Sequence, residues 1–85
     1  MTKAQILFYG AGWCADCKRS QTLLDQNRIS YDYIDIDTVQ GAADEVSRLN
    51  DGFKSIPTIV FPDGSKLVEP SNQELSEKLR LMHRA

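Results

Sequence analysis

Little in this chain of 85 residues is basic, repetitive or strongly apolar, and each shortage removes a class of function. Ten Lys and Arg against twelve Asp and Glu leave a net charge of −2, with no basic stripe to follow a phosphate backbone. Nucleic acid is therefore not expected as a partner. The opening MTKAQILFYG carries one lysine and a short apolar run, far below what a signal sequence or a membrane span needs. The expectation is a cytoplasmic protein away from membranes, where stable structural disulfides are rare. No repeat, linker or low-complexity tract breaks the sequence, so residues 1–85 read as one domain, expected to act as a monomer. Glycine and proline, five and three, are scarce as well. With 41% hydrophobic and 26% charged residues, the balance is that of a globular core near the lower size limit for independent folding.

What is present alternates in period. Ala4 to Tyr9 is a short apolar run bounded by Gly10 and Gly12, as in a buried strand. Cys14 to about Asn27 has helix formers and no internal Gly or Pro, with Leu23 and Leu24 as core candidates. Tyr31 to Asp37 (YDYIDID) alternates strictly and predicts a strand. Val39 to Leu49 places Ala42, Ala43, Val46 and Leu49 at helical spacing, and Asn50-Asp51-Gly52 stops it. Thr58 to Phe61 and Lys66 to Val68 flank the turn Pro62-Asp63-Gly64 and predict a hairpin. Ser71 to Glu74 fits a capping box, opening a last helix with Leu75, Leu79 and Met82 on one face. Its Lys78, Arg80 and Arg84 suit a helix C-terminus, and His83 reads as a solvated side chain there. The order is β-α-β-α-β-β-α, an α/β fold with a four-stranded mixed sheet flanked by helices.

Both cysteines fall in one stretch, GAGWCADCKRS, as Cys14-x-x-Cys17. A strand, a short glycine loop and then a helix put Cys14 at a helix N-terminus. There, unpaired N–H groups and the positive end of the helix dipole favour a thiolate. Cys17 lies one turn further in, so Cys14 is the attacking sulfur and Cys17 the resolving one. As a staple the pair is weak, because a four-residue loop contributes only about 2 kcal/mol in the chain-entropy model. As a zinc site it offers two ligands of the four required, so no metal is expected. Redox chemistry is the reading left. Trp13 borders the pair and either packs against a substrate or shields the loop. Far along the chain, Ile56-Pro57-Thr58 has two readings. Pro57 either starts a strand, where its missing N–H costs least, or forms a cis Ile56–Pro57 bond in a tight turn. In the second case the Ile56 backbone could pair with an extended substrate beside Cys14.

Taken together, WCADC at 13–17, YDYIDID and SIPT at 55–58 resemble the thioredoxin superfamily, and within it the glutaredoxins. The resemblance covers essentially the whole chain. It implies the thioredoxin/glutaredoxin fold, a nucleophilic Cys14, a resolving Cys17 and a cis Pro57, with Thr58 and Val68 lining the thiol groove. Departures from the glutathione-dependent pattern are informative. Ala11 stands where a lysine is usual, Pro70-Ser71 where a Gly-Gly pair enters the last helix, and Asp16 where a tyrosine is usual. Losing a cation and an open anion-binding turn should weaken recognition of a thiol that carries two carboxylates. Asp16 suits the helix dipole but opposes a thiolate at Cys14, which Lys18 and Arg19 could offset.

Closer still are the actinobacterial mycoredoxins, which resemble this chain in RISYDYIDID, FPDGSKL and EPSNQEL. That resemblance implies a thiol-disulfide oxidoreductase that reduces mixed disulfides between proteins and a low-molecular-weight thiol. The cosubstrate would be mycothiol, with glutathione as the alternative, and no cofactor would be tightly bound. Partners would be oxidised or thiolated proteins and, in one variant, a flavin disulfide reductase. Two other readings stay open: an electron donor recharged by thioredoxin reductase, for example to ribonucleotide reductase, and a dimer holding an iron–sulfur cluster.

Overall fold

The computed structural model describes residues 5–83. Seven elements follow in the expected order: β1 (Ile6–Gly10), α1 (Ala15–Gln26), β2 (Tyr31–Asp35), α2 (Ala42–Leu49), β3 (Thr58–Val60), β4 (Lys66–Val68) and α3 (Asn72–His83). One sheet runs β2-β1-β3-β4. β1 pairs parallel to β2 and antiparallel to β3, and β3 closes the hairpin with β4. This register brings the C-terminal ends of β1, β2 and β4 and the start of β3 to one end of the sheet. Ala4 and Arg84 lie outside the described residues, as does the His83 side chain.

Side-chain alternation along β1 divides the core. Phe8 faces Tyr31 and Tyr33, at ring-centroid distances of 5.6 and 5.8 Å. The site of a Cβ on Gly10 points at the Cys17 sulfur, so α1 lies on this face. α3 packs against α1. Tyr9, on the opposite face, lies near Glu45 and Arg48 of α2. Phe8, Leu24, Val46, Ile59 and Leu75 are completely buried in the core. Leu23 and Leu49, both expected in the core, are only half-buried.

Several boundaries differ from the sequence expectation by a residue or more, and two of them have a clear local reason. β2 ends at Asp35 rather than Asp37, because the Asp35 carboxylate accepts the Asp37 N–H at 2.8 Å and turns the chain. α2 starts at Ala42 rather than Val39, since Gly41 has φ +84°, a left-handed conformation that interrupts the helix. β3 stops one residue early, at Val60. The capping box forms as expected. Ser71 N–H donates to Glu74 Oε1 at 2.8 Å, and Glu74 N–H donates to Ser71 Oγ at 3.0 Å.

The hairpin turn is tied to α3 through Asp63. Its carboxylate accepts the Ser65 hydroxyl at 2.6 Å, the Ser65 N–H at 2.9 Å and the Lys78 ammonium at 2.9 Å. The Ser65 donors first, then Lys78, hold this carboxyl well below the usual aspartate range. A depressed carboxyl contributes stability above its unfolded value of about 3.8 and loses it as pH falls. Asp63→Asn should therefore lower the melting temperature at pH 7. The gap to the parent should close as thermal scans move to pH 3 and below.

Gly10 packs where no other residue fits well. A Cβ there would lie 3.0 Å from Cys17 Sγ, 3.1 Å from Phe8 Cε1 and 3.2 Å from Tyr33 Cε1. Gly10→Ala should cost about 1–3 kcal/mol in urea unfolding, the usual range for overpacking. Gly12→Ala, with nothing within 4 Å of the added carbon, is the control that should stay close to the parent.

Candidate active site

Cys14 is the N-cap of α1, with an extended backbone at φ −91° and ψ 110°. Its sulfur takes the place of the usual capping oxygen: Cys17 N–H donates to Cys14 Sγ at 3.1 Å. The two sulfurs are joined as a disulfide, with Cα atoms 5.2 Å apart. Cys14 keeps 6% of its surface exposed and Cys17 none. Any reagent therefore reaches Cys14 first. When the pair is open, a charged Cys14 sulfur would rest on the Cys17 amide at the positive end of α1.

The 55–58 segment closes the other side. The Ile56–Pro57 bond is cis, and the Ile56 carbonyl oxygen lies 4.0 Å from Cys14 Sγ. Glu69 N–H, from the residue after β4, donates to the Pro57 carbonyl at 2.8 Å. Glu69 itself has φ +49°, the left-handed region more usual for glycine or asparagine. Thr58 is inside rather than lining a groove. It is fully buried, donates its hydroxyl to the Ser55 carbonyl at 2.7 Å and accepts from the Asn50 amide at 3.0 Å. Its contribution is to hold the loop that presents Ile56 and Pro57. Val68, paired with Thr58 in the hairpin, is part-exposed beside it.

Trp13 is 71% exposed, and its indole N–H donates to Asp37 Oδ2 at 2.8 Å. The ring is thus tied to the β2–α2 connection while its face stays open. Burial first, then the Asp35 and Asp37 carboxylates, push the Tyr33 hydroxyl above the ordinary tyrosine range. Asp16 stands in the first turn of α1, 3.4 Å from the Arg19 guanidinium. Arg19 also donates to Asn72 Oδ1 at 2.6 Å and to the Pro70 carbonyl at 3.2 Å, linking α1 to the start of α3.

Comparison with known proteins agrees with this geometry. The glutaredoxin family model matches residues 6–66, the span from β1 into β4. The chain belongs to the glutaredoxin family. A Mycobacterium tuberculosis protein named for the glutaredoxins is 42% identical over 79 residues, covering 93% of this chain and 94% of that one. Mycoredoxin 1 of Corynebacterium glutamicum is 29% identical over 79 residues, covering 93% and 98%. The crystal structure of a glutaredoxin from Archaeoglobus fulgidus superposes with a TM-score of 0.74 at 26% identity, covering 91% and 87%. As a glutaredoxin with a Cys14–Cys17 pair in the thioredoxin-like fold, the chain is a thiol oxidoreductase.

The structure therefore brings Cys14, Cys17 and Ile56 together, with Pro57 and Thr58 behind them and Trp13 at the rim. Sequence reasoning missed Phe53, which is 69% exposed in the loop leading into Pro57. The signal was there: a phenylalanine between Gly52 and Lys54, outside any periodic pattern, has no core to enter. Asp37, 24 residues from Trp13, gave no such signal.

Thr58→Val keeps the shape of this site but leaves the Ser55 carbonyl and the Asn50 amide without their shared partner. It should destabilise the protein by about 1–3 kcal/mol in urea unfolding, the range for stranded buried polar groups. An unchanged midpoint would mean that the hydroxyl does not hold the loop.

Proposed function

We propose that the protein reduces mixed disulfides between proteins and a low-molecular-weight thiol, and that the thiol is mycothiol. The observation that carries this reading is the placement of Cys14 Sγ. It accepts the Cys17 amide, lies 4.0 Å from the Ile56 carbonyl, and is the part-exposed member of the pair. In the proposed cycle the Cys14 thiolate attacks the small-thiol sulfur of the mixed disulfide. The S–S bond of the mixed disulfide breaks and the target leaves as its thiolate. The small thiol, now bonded to Cys14, is removed by a second small-thiol molecule, which deprotonates and attacks; the product is the symmetrical small-molecule disulfide and Cys14 thiolate. In the dithiol variant Cys17 attacks Cys14 instead, expels the small thiol and leaves the Cys14–Cys17 disulfide for an external reductant. Either way, the Ile56 backbone offers the incoming chain a main-chain contact beside Cys14.

The choice of thiol is supported by the charges near α3. Ala11 supplies no cation before the motif. Glu74 caps the first turn of α3 with its own carboxylate. A carboxylate-bearing thiol arriving there meets a like charge and an amide already engaged. Mycothiol, a pseudo-disaccharide without those peptide carboxylates, avoids both. Trp13, next to Cys14 in sequence, and Phe53, shortly before the 55–58 segment, are exposed and suit apolar contact with a protein partner.

The Cys17→Ser variant tests the thiol assignment, because any adduct must then stay on Cys14. Offered oxidised mycothiol and oxidised glutathione together, it should carry mycothiol at least about tenfold over glutathione by intact mass. That is the weight of one charge-assisted hydrogen bond, about 1.5–3 kcal/mol. A dominant glutathione adduct would overturn the thiol assignment. No adduct at all would point to a pair recharged by a reductase.

A further inference from the structure

Two polar side chains among the described residues are buried completely, Thr58 and Ser20. Thr58 both donates and accepts through its hydroxyl. Ser20 Oγ has no hydrogen-bond partner among the described residues. A buried hydroxyl is rarely left so, because it loses water and gains nothing in return. Helix geometry does not force this state on it. Thr22, two residues further along α1, returns its hydroxyl to the Lys18 carbonyl at 2.9 Å, the four-back bond that Ser20 forgoes.

The position of Ser20 gives the unpaired hydroxyl a meaning. Cys17, Ser20 and Leu24 form the buried stripe of α1. Residues three apart on a helix have Cβ atoms about 5–6 Å apart and are surface neighbours. Helical side chains lean toward the N-terminus, which directs the Ser20 side chain toward the turn that starts at Cys17. In the present disulfide state, Cys17 Sγ is bonded to Cys14 and has no proton to donate.

We infer that Ser20 is a positioning residue for the resolving sulfur, its hydroxyl pairing with Cys17 once the disulfide opens. Exchange with an external dithiol breaks the Cys14–Cys17 bond, oxidises that dithiol to its disulfide and passes its two protons to the pair. Cys17 then carries an S–H that the Ser20 oxygen accepts or, when deprotonated, a thiolate to which the Ser20 hydroxyl donates. The hydroxyl is satisfied in the dithiol state and stranded in the disulfide state, so it biases the pair toward the dithiol. This rests on the proposed reading of the pair as an exchange centre.

The test is the equilibrium of the parent and of Ser20→Ala with graded mixtures of dithiothreitol and its cyclic disulfide. Samples are quenched in acid, alkylated and counted by mass. Ser20→Ala should shift the equilibrium constant about fivefold toward the disulfide, the weight of one hydrogen bond. Thermal unfolding of the two redox forms supplies the second readout. Ser20→Ala should destabilise the dithiol form relative to the disulfide form, whereas a hydroxyl with only a packing role would shift both equally. Equal constants for parent and variant, within twofold, would overturn the assignment of Ser20. A parent pair that cannot be cycled reversibly would remove the exchange reading itself, and the role of Ser20 with it.

Discussion

The contact on which this site depends is the Cys17 amide donating to the Cys14 sulfur across the first turn of α1. A helix must satisfy its first N–H groups from outside itself, and here a sulfur does so where an oxygen is usual. That fixes the Cys14 sulfur at the positive end of α1 and turns Cys17 inward. The Cys17 sulfur then rests where the Cβ of any other residue at position 10 would project, which is why β1 ends on glycine. It also requires the start of α1 to sit at the end of the sheet where β3 begins. The antiparallel pairing of Tyr9 with Thr58 then delivers Ile56 to the Cys14 sulfur. Strand direction, the glycine and the loop before β3 are thus consequences of one capped turn.

Much of this was legible in the sequence because the signals were local. Apolar runs, one alternating strand, helical spacing and a turn signal gave all seven elements in order, and the Ser71–Glu74 box marked the start of α3. Cys14-x-x-Cys17 after a glycine loop marked the site. The failures were also local in cause. Asp35 and Gly41 ended one element and delayed the next through a side-chain turn and a left-handed backbone, which override hydrophobic period. What could not be read was long-range polar pairing. Trp13 finds Asp37, Arg19 finds Asn72, and Asn50 finds Thr58, and only the second has even a weak sequence cue in its charge. Thr58 is the clearest case. Its place in the SIPT segment suggested contact with substrate, yet the interior needs its hydroxyl to hold Ser55 and Asn50.

Two aromatic residues stand near the site in sequence, one beside Cys14 and one in the loop leading to Pro57. Trp13 and Phe53 are both largely exposed, although the core has room for only a few large side chains in 85 residues. Exposed aromatics cost solubility and contribute nothing to the fold, so a binding role explains them better than packing does. The Trp13–Asp37 bond restrains the indole without covering its face, and a restrained ring loses less freedom when a partner arrives.

Charge at the site is handled in the opposite way, by internal pairing. Arg19 is the cation best placed to reach the motif, one turn beyond Asp16, yet its guanidinium is divided among Asp16, Asn72 and the Pro70 carbonyl. The Asp16 carboxylate, which would otherwise oppose a thiolate at Cys14, is thereby partly offset, and the same contacts fasten α1 to the start of α3. Glu74 meanwhile fills the first turn of α3 with its own negative charge. Arg19 is thus committed to holding the two helices in register, and Glu74 to capping α3. On the proposed reading the small thiol would be selected by shape and neutral contacts, because recruiting Arg19 or the α3 cap for a carboxylate would first break the bonds that align α1 with α3.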